Sequence, residues 1–210
     1  MKASVYTVNP ECPSQEAVRA AVDALREGGL VVYPTDTLYG LGADPWNPHA
    51  VEKVFKAKER KRDKPLPLII AEAHYALRLV KPSSSFWRLA LAFWPGPLTI
   101  VAEASDEAPH YLAWEGMIGV RLPDSIVARL LARAIGGVII ATSANKSGMP
   151  PPRTAQDAMS MLGESVSVYL DGGPTPLGVP STVVIIRNDS VEILREGAIP
   201  ARDVARALRG

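Results

Sequence analysis

Leu30-Val31-Val32-Tyr33-Pro34-Thr35-Asp36-Thr37-Leu38-Tyr39-Gly40-Leu41-Gly42 is the stretch on which the fold turns. Its first four residues are a strand-sized apolar run that Pro34 stops, and they read as a buried strand. Two threonines, an aspartate and two glycines follow at once. Their hydroxyls and open backbone could orient a small polar ligand, or they could build a tight turn for geometry alone. The stretch by itself leaves both readings open.

Outward from it, helices and strands interleave. Upstream, Ala17, Val18, Ala21, Val22 and Leu25 recur at helical spacing from Ser14 until Gly28-Gly29 ends the pattern. Downstream, Asn47-Pro48 is an N-cap followed by proline at the first helical position. The helix it opens, continued to about residue 60, puts Val51, Val54, Phe55 and Lys58 on one face. Residues 66–70 form a strand with Pro67 at its start or on an edge. Helices are expected around 72–80 and 84–94, the latter stopped by Pro95-Gly96-Pro97. Strands at 98–103 and 117–121 precede a helix through Ile126, Val127, Leu130, Leu131 and Ala134. Further strands are expected at 138–142 and 166–170, a helix at 154–162, and a hairpin turning at Asn188-Asp189-Ser190. Pro200 opens a last short helix. The expectation is α/β: one domain over 1–210, core about 14–200, with a mixed, twisted sheet flanked by helices.

Composition narrows the function classes. The 210 residues are 47% hydrophobic and 21% charged, with a net charge of +1, so no global field draws the chain to nucleic acid or lipid. The first residues have no apolar core of a secretory signal, and no apolar run is long enough to span a bilayer, so a cytoplasmic location is expected. The single cysteine, Cys12, fits a reducing compartment and reads as incidental. No GxxxxGK[ST] and no GxGxxG after a strand are present. His49, His74 and His110 lack metal-ligand spacing, so no metal is expected on protein side chains. Ser143 has no GxSxG elbow, which argues against a hydrolase.

What remains are polar groups placed where apolar strands end. Residues 53–64, KVFKAKERKRDK, hold seven basic residues in twelve. A helix C-terminus favours cations through its dipole, but this density exceeds that need and suits a triphosphate, with RNA phosphate as the rival. Thr142-Ser143-Ala144-Asn145-Lys146-Ser147-Gly148 again ends a strand in hydroxyls and an amide. Arg121 in Gly119-Val120-Arg121-Leu122-Pro123 could clamp a carboxylate or form a surface ion pair. Pro180-Ser181-Thr182-Val183 and Arg195-Glu196-Gly197 complete the set.

Taken together and in this order, these motifs resemble the YrdC-like (TsaC-type) threonylcarbamoyl-AMP synthase family, in its short single-domain form. The resemblance implies a YrdC-like fold and a nucleotidyltransferase that joins L-threonine, bicarbonate and ATP into threonylcarbamoyl-AMP and pyrophosphate. Downstream transfer proteins would then pass the group to an adenosine of tRNA. It implies Lys58, Arg60, Ser143 and Asn145 as the catalytic constellation. Arg60, Lys64, Met117, Asn145, Arg153 and Arg195 would contact ATP, and Thr35, Arg121, Ser143 and Ser181 would form the threonine pocket. Mg²⁺ is expected on the ATP phosphates. Two positions depart from the pattern: Lys61 stands where many relatives have proline, and Ile69 where some place a threonine-contacting histidine. The chain ends soon after Arg195-Glu196-Gly197, so no linker or second domain is expected. Two alternatives stand beside this reading. One is a YrdC-like paralogue that binds RNA without synthesis, or a weak RNA contact through the basic segment. The other is a carbamoyl-transfer module akin to a hydrogenase-maturation domain, whose characteristic cysteines this chain lacks.

Overall fold

The computed structural model describes residues 3–61 and 65–209. In chain order the elements are β1 (Ser4–Thr7), α1 (Gln15–Arg26), β2 (Val31–Tyr33), β3 (Gly40–Gly42), α2 (Pro48–Ala57) and β4 (Leu68–Ile70). Then come α3 (Ser84–Phe93), β5 (Leu98–Glu103), β6 (Met117–Arg121), α4 (Ile126–Ala134), β7 (Val138–Ile140) and β8 (Thr142–Ser143). The last are α5 (Ala155–Leu162), β9 (Val168–Asp171), β10 (Thr182–Arg187), β11 (Ser190–Arg195) and α6 (Ala201–Arg209).

Helix starts follow from capping. The Asn47 side chain accepts from His49 N at 3.0 Å and Ala50 N at 3.3 Å, and Pro48 spends no donor there. Ser14, Ser83, Ser125 and Thr154 cap α1, α3, α4 and α5 in the same way. The turn between β10 and β11 has Asn188 at φ 50° and Asp189 at φ 63°, the two-residue geometry whose twist matches paired strands.

The strands build two mixed sheets, not the single sheet expected. The first has the order β1-β9-β2-β3-β8 and the second β11-β10-β5-β6-β4-β7. The sequence hides the division because residues 138–142 read as one strand. β7 pairs with β4 in the second sheet, and β8 pairs with β3 in the first. Ala141, bonded through its N–H to Pro67 O at 2.8 Å, is the step between them. β3 was hidden too, since Gly40-Leu41-Gly42 reads as a turn. The reason for glycine is space: a Cβ on Gly42 would lie 2.7 Å from both the Tyr33 ring and the Ile139 side chain. β1 carries no strong pattern and pairs in parallel with β9. The segment expected as a helix at 72–80 is a 3-10 turn, Ala73–Arg78.

Two apolar clusters fill the molecule. One buries Leu41, Val54, Phe86, Ile100 and Val120; the other packs α1 and α4 over β2 and β9 through Leu25, Leu131, Val31 and Leu170. No helix among the described residues is long and apolar enough to cross a membrane.

Candidate active site

A cleft of about 650 Å³ opens between the two sheets beside the Ala141 step. Its size is that of an ordinary small-molecule site. Strand register defines its floor. Val183 pairs with Thr99 and Ile185 with Val101; Val101 pairs with Gly119, and Ile69 with Arg121. Side chains alternate along a strand, so these residues share one face. Along β6 the floor therefore runs from a polar end at Arg121 to an apolar end at Gly119 and Met117. The opposite wall comes from the 35–40 loop and from Thr142, Ser143 and Asn145.

Arg121 organises the polar end. Nε donates to Gly96 O at 3.0 Å, one terminal nitrogen donates to Thr37 Oγ1 at 2.9 Å, and the other pairs with Asp36 Oδ1. Burial works against its charge, and Asp36 beside it works the other way. A guanidinium has five N–H groups, so these bonds leave two for a ligand. Asp36 Oδ2 has no hydrogen-bond partner. Thr35 spends its hydroxyl locally: Oγ1 accepts from Thr37 N and Leu38 N at 3.1 and 3.2 Å and donates to Leu38 O at 2.6 Å.

Arg195, on edge strand β11, leans over the same end. It donates to Ser181 O from Nε at 3.2 Å and from a terminal nitrogen at 2.8 Å. Ser181 Oγ lies 2.9 Å from Thr99 Oγ1. Burial, and then the charge of Arg121, hold the Arg195 pKa below its usual value. Two mutually repelling guanidiniums against one carboxylate make this end an anion site.

The C-terminus of α2 supplies the next cations. The helix stops at Ala57, short of residue 60. Lys58 is its cap, Glu59 turns at φ 51°, and Arg60 N bonds back to Phe55 O at 2.9 Å while Glu59 N bonds to Lys56 O at 3.1 Å. This Schellman-type ending swings Arg60 to the cleft wall, where it also donates to Pro65 O at 2.9 Å. Lys58 goes the other way. It is 1% exposed, and its ammonium donates to Ser143 O and, at 2.7 Å, to Asn145 O. Desolvation by burial, then the charge of Arg60, bring its pKa down to about 7. Lys58 holds the 143–145 backbone from behind and is not among the residues lining the cleft. Asn145 Nδ2 donates to Met149 O at 2.6 Å and Lys146 O at 3.0 Å, which fixes the amide's orientation and leaves Oδ1 unpartnered.

The structure thus brings Thr35, Arg60, Met117, Arg121, Ser143, Asn145, Ser181 and Arg195 to one cleft, with Ile69 on its floor. Arg153 is exposed and lies over Gly178, off the lining. Lys64 lies outside the described residues. Among those described, no group of three His, Cys, Asp or Glu could hold a metal ion. Sequence reasoning missed Thr99, Gly119 and Trp114 as lining residues. Thr99 sits mid-strand without a motif, and only its register brings it beside Ser181.

Comparison with known proteins bears on this geometry. A family profile described as "Telomere recombination", covering Sua5, YciO and YrdC, matches residues 23–197. A Mycobacterium tuberculosis relative is 39% identical over 206 residues, spanning 95% of this chain and 92% of its own length. A Bacillus subtilis threonylcarbamoyl-AMP synthase is 37% identical over 190 residues, 89% of this chain but 55% of the relative. A crystal structure of Pyrococcus abyssi Sua5 complexed with L-threonine superposes with a TM-score of 0.91 at 34% identity, covering 97% of this chain and 60% of that one.

Proposed function

The chain belongs to the Sua5/YciO/YrdC family, and from that membership and the cleft together we infer that it is a threonylcarbamoyl-AMP synthase, a nucleotidyltransferase acting on ATP and L-threonine. The observation that carries the reading is the Arg121–Arg195 end of the cleft. Both substrates carry anionic groups, the phosphates of ATP and the carboxylate of threonine, and this end concentrates positive charge with N–H groups to spare.

Our reading of the reaction begins with the threonine amine and bicarbonate, which combine into a carbamate with loss of water. A carbamate oxygen then attacks the α-phosphorus of ATP, the bond from that phosphorus to the bridging oxygen breaks, and pyrophosphate leaves. Arg121 holds the threonine carboxylate with its two remaining N–H groups, and Ser181 and Ser143 line the same pocket. Thr35 contributes the shape of its turn, its hydroxyl being already engaged. Arg60 and Arg195 face the phosphates and offset the charge that grows on the leaving pyrophosphate. Lys58 acts as a positioning residue for Ser143 and Asn145. Mg²⁺ arrives with ATP, as part of the substrate, held mainly by phosphate and water oxygens. The adenylate would go to proteins that transfer its threonylcarbamoyl group to tRNA, in the cytoplasm.

The test is pyrophosphate release with single omissions. Release should need ATP, L-threonine and bicarbonate together; release indifferent to threonine would refute the reading.

A further inference from the structure

Four residues beyond Arg121 along β6, roughly 13 Å at the usual strand rise, the cleft floor becomes apolar. Met117, Gly119, Val101 and Ile185 make that end, and Trp114 stands beside it. Trp114 is 45% exposed, yet it is fixed from below. Its N–H and C=O exchange bonds of 2.9 Å each with Met117, across a two-residue turn with Glu115 at φ 49° and Gly116 at φ 72°. Both turn residues are left-handed, the tight geometry that leaves little freedom at the flanking positions. An aromatic plane is thus held at the lip of a ligand cleft.

Gly119 leaves the floor at this end bare. Its φ is not in the left-handed region, and a Cβ there would meet Pro67, Thr99 and Val101 only at 3.4–3.6 Å, which is ordinary contact. Neither backbone geometry nor packing demands glycine, so what its absent side chain leaves is room in the cleft.

The polar groups nearby are engaged elsewhere. Glu115 pairs with Arg187 at 3.5 Å, Glu103 with Lys81 at 3.1 Å, and Gly116 O accepts from Ala104 N at 2.8 Å. What this end offers a ligand is a flat aromatic face, aliphatic walls and one indole N–H.

Resting on the nucleotide site proposed above, we propose that Trp114 stacks on the purine base over Gly119, and that this slot selects a purine without telling adenine from guanine. A stack is tolerant because every base has a π face. The indole N–H does not discriminate either: in a stack it lies in a plane parallel to the base and reads no base edge. Pyrimidines offer a smaller face and bind less well.

Calorimetric titration of the whole protein with the Mg²⁺ complexes of ATP, GTP and CTP tests this. ATP and GTP should bind within about threefold of each other and CTP more weakly. Trp114→Ala should weaken both purines by about tenfold, and Trp114→Phe should restore most of the loss. A preference for ATP over GTP of about a hundredfold or more would overturn the proposal, because it requires hydrogen-bond readout of the base. Wild-type ATP affinity in Trp114→Ala would overturn it too, while leaving the nucleotide site standing. If the wild type bound none of the three, the nucleotide site itself would fall and the base slot with it.

Discussion

Both lips of the cleft use a side chain of their own, Thr35 in 34–39 and Asn145 in 143–149, but the first is also gripped by a residue of the floor and the second by one that lies off the cleft. In the first, Thr35 closes a turn on itself while Asp36 and Thr37 are gripped by Arg121, a residue that also faces the ligand space. In the second, Lys58 grips the carbonyls of Ser143 and Asn145 without lining the cleft, and Ser147 N bonds to Lys58 O at 2.8 Å. The difference teaches that residues of one sequence motif divide into those that line the cleft and those that hold its wall. At Arg121 the two tasks coincide; at Lys58 and Arg60, two positions apart, they separate.

Arg121→Ala should have the largest effect. It strands Asp36 in a buried site, and removing one partner of a buried ion pair costs about 3–5 kcal/mol. Urea unfolding reads that cost directly. Arg121→Lys keeps a charge but loses the planar fork, and it should weaken threonine binding far more than ATP binding. A stability loss below about 1 kcal/mol for the alanine variant would show that Arg121 does not brace its lip.

Lys58→Met comes next. Two backbone carbonyls lose their donor, at about 1–3 kcal/mol net, because removing a desolvated cation offsets part of the loss. The sign of the pH dependence follows from the depressed pKa. Between about 7 and the ordinary lysine value the unfolded chain binds more protons than the native one, so stability rises with pH in that window. Below about 7 the cost of burying the cation is present in full. The slope should reach at most about 1.4 kcal/mol per pH unit and vanish in Lys58→Met. Identical pH profiles for the two proteins would remove Lys58 as a buried, titrating brace.

Arg60→Ala should barely move stability but slow pyrophosphate release at least about tenfold, the range for one charge-assisted hydrogen bond of about 1.5–3 kcal/mol. Asn145→Ala should impair the same step, and the double variant should lose less than the sum. Full additivity would place the two side chains in separate sites. The smallest effect is expected at exposed Arg153, where alanine should change stability by less than about 0.5 kcal/mol and ATP affinity by less than about threefold. A tenfold loss of ATP affinity would mean that the 150–153 segment closes over the phosphates.

Much of this was legible in local chemistry. Asn47-Pro48 announces α2, and Asn188-Asp189 announces the β10–β11 turn, because caps and two-residue turns depend on adjacent residues. Most of the polar motifs at strand ends contribute residues to the cleft lining. What stayed hidden depends on partners distant in sequence. The bare strand β3 is explained only by the Tyr33 and Ile139 side chains that press on Gly42. The division into two sheets rests on a single step at Ala141, and the carbonyls that hold the Lys58 ammonium lie 85 and 87 positions away. Trp114 left one signal, the Glu115-Gly116 turn beside it, but its place in the cleft lining needs the pairing of β5 with β6.

The most direct test of the synthase reading is the identity of the nucleotide product. Incubated with ATP, L-threonine and isotopically labelled bicarbonate, the enzyme should yield an adenylate containing both threonine and the labelled carbon, seen by mass spectrometry. A threonine adenylate without the label, or AMP formed with neither threonine nor label attached, would contradict it.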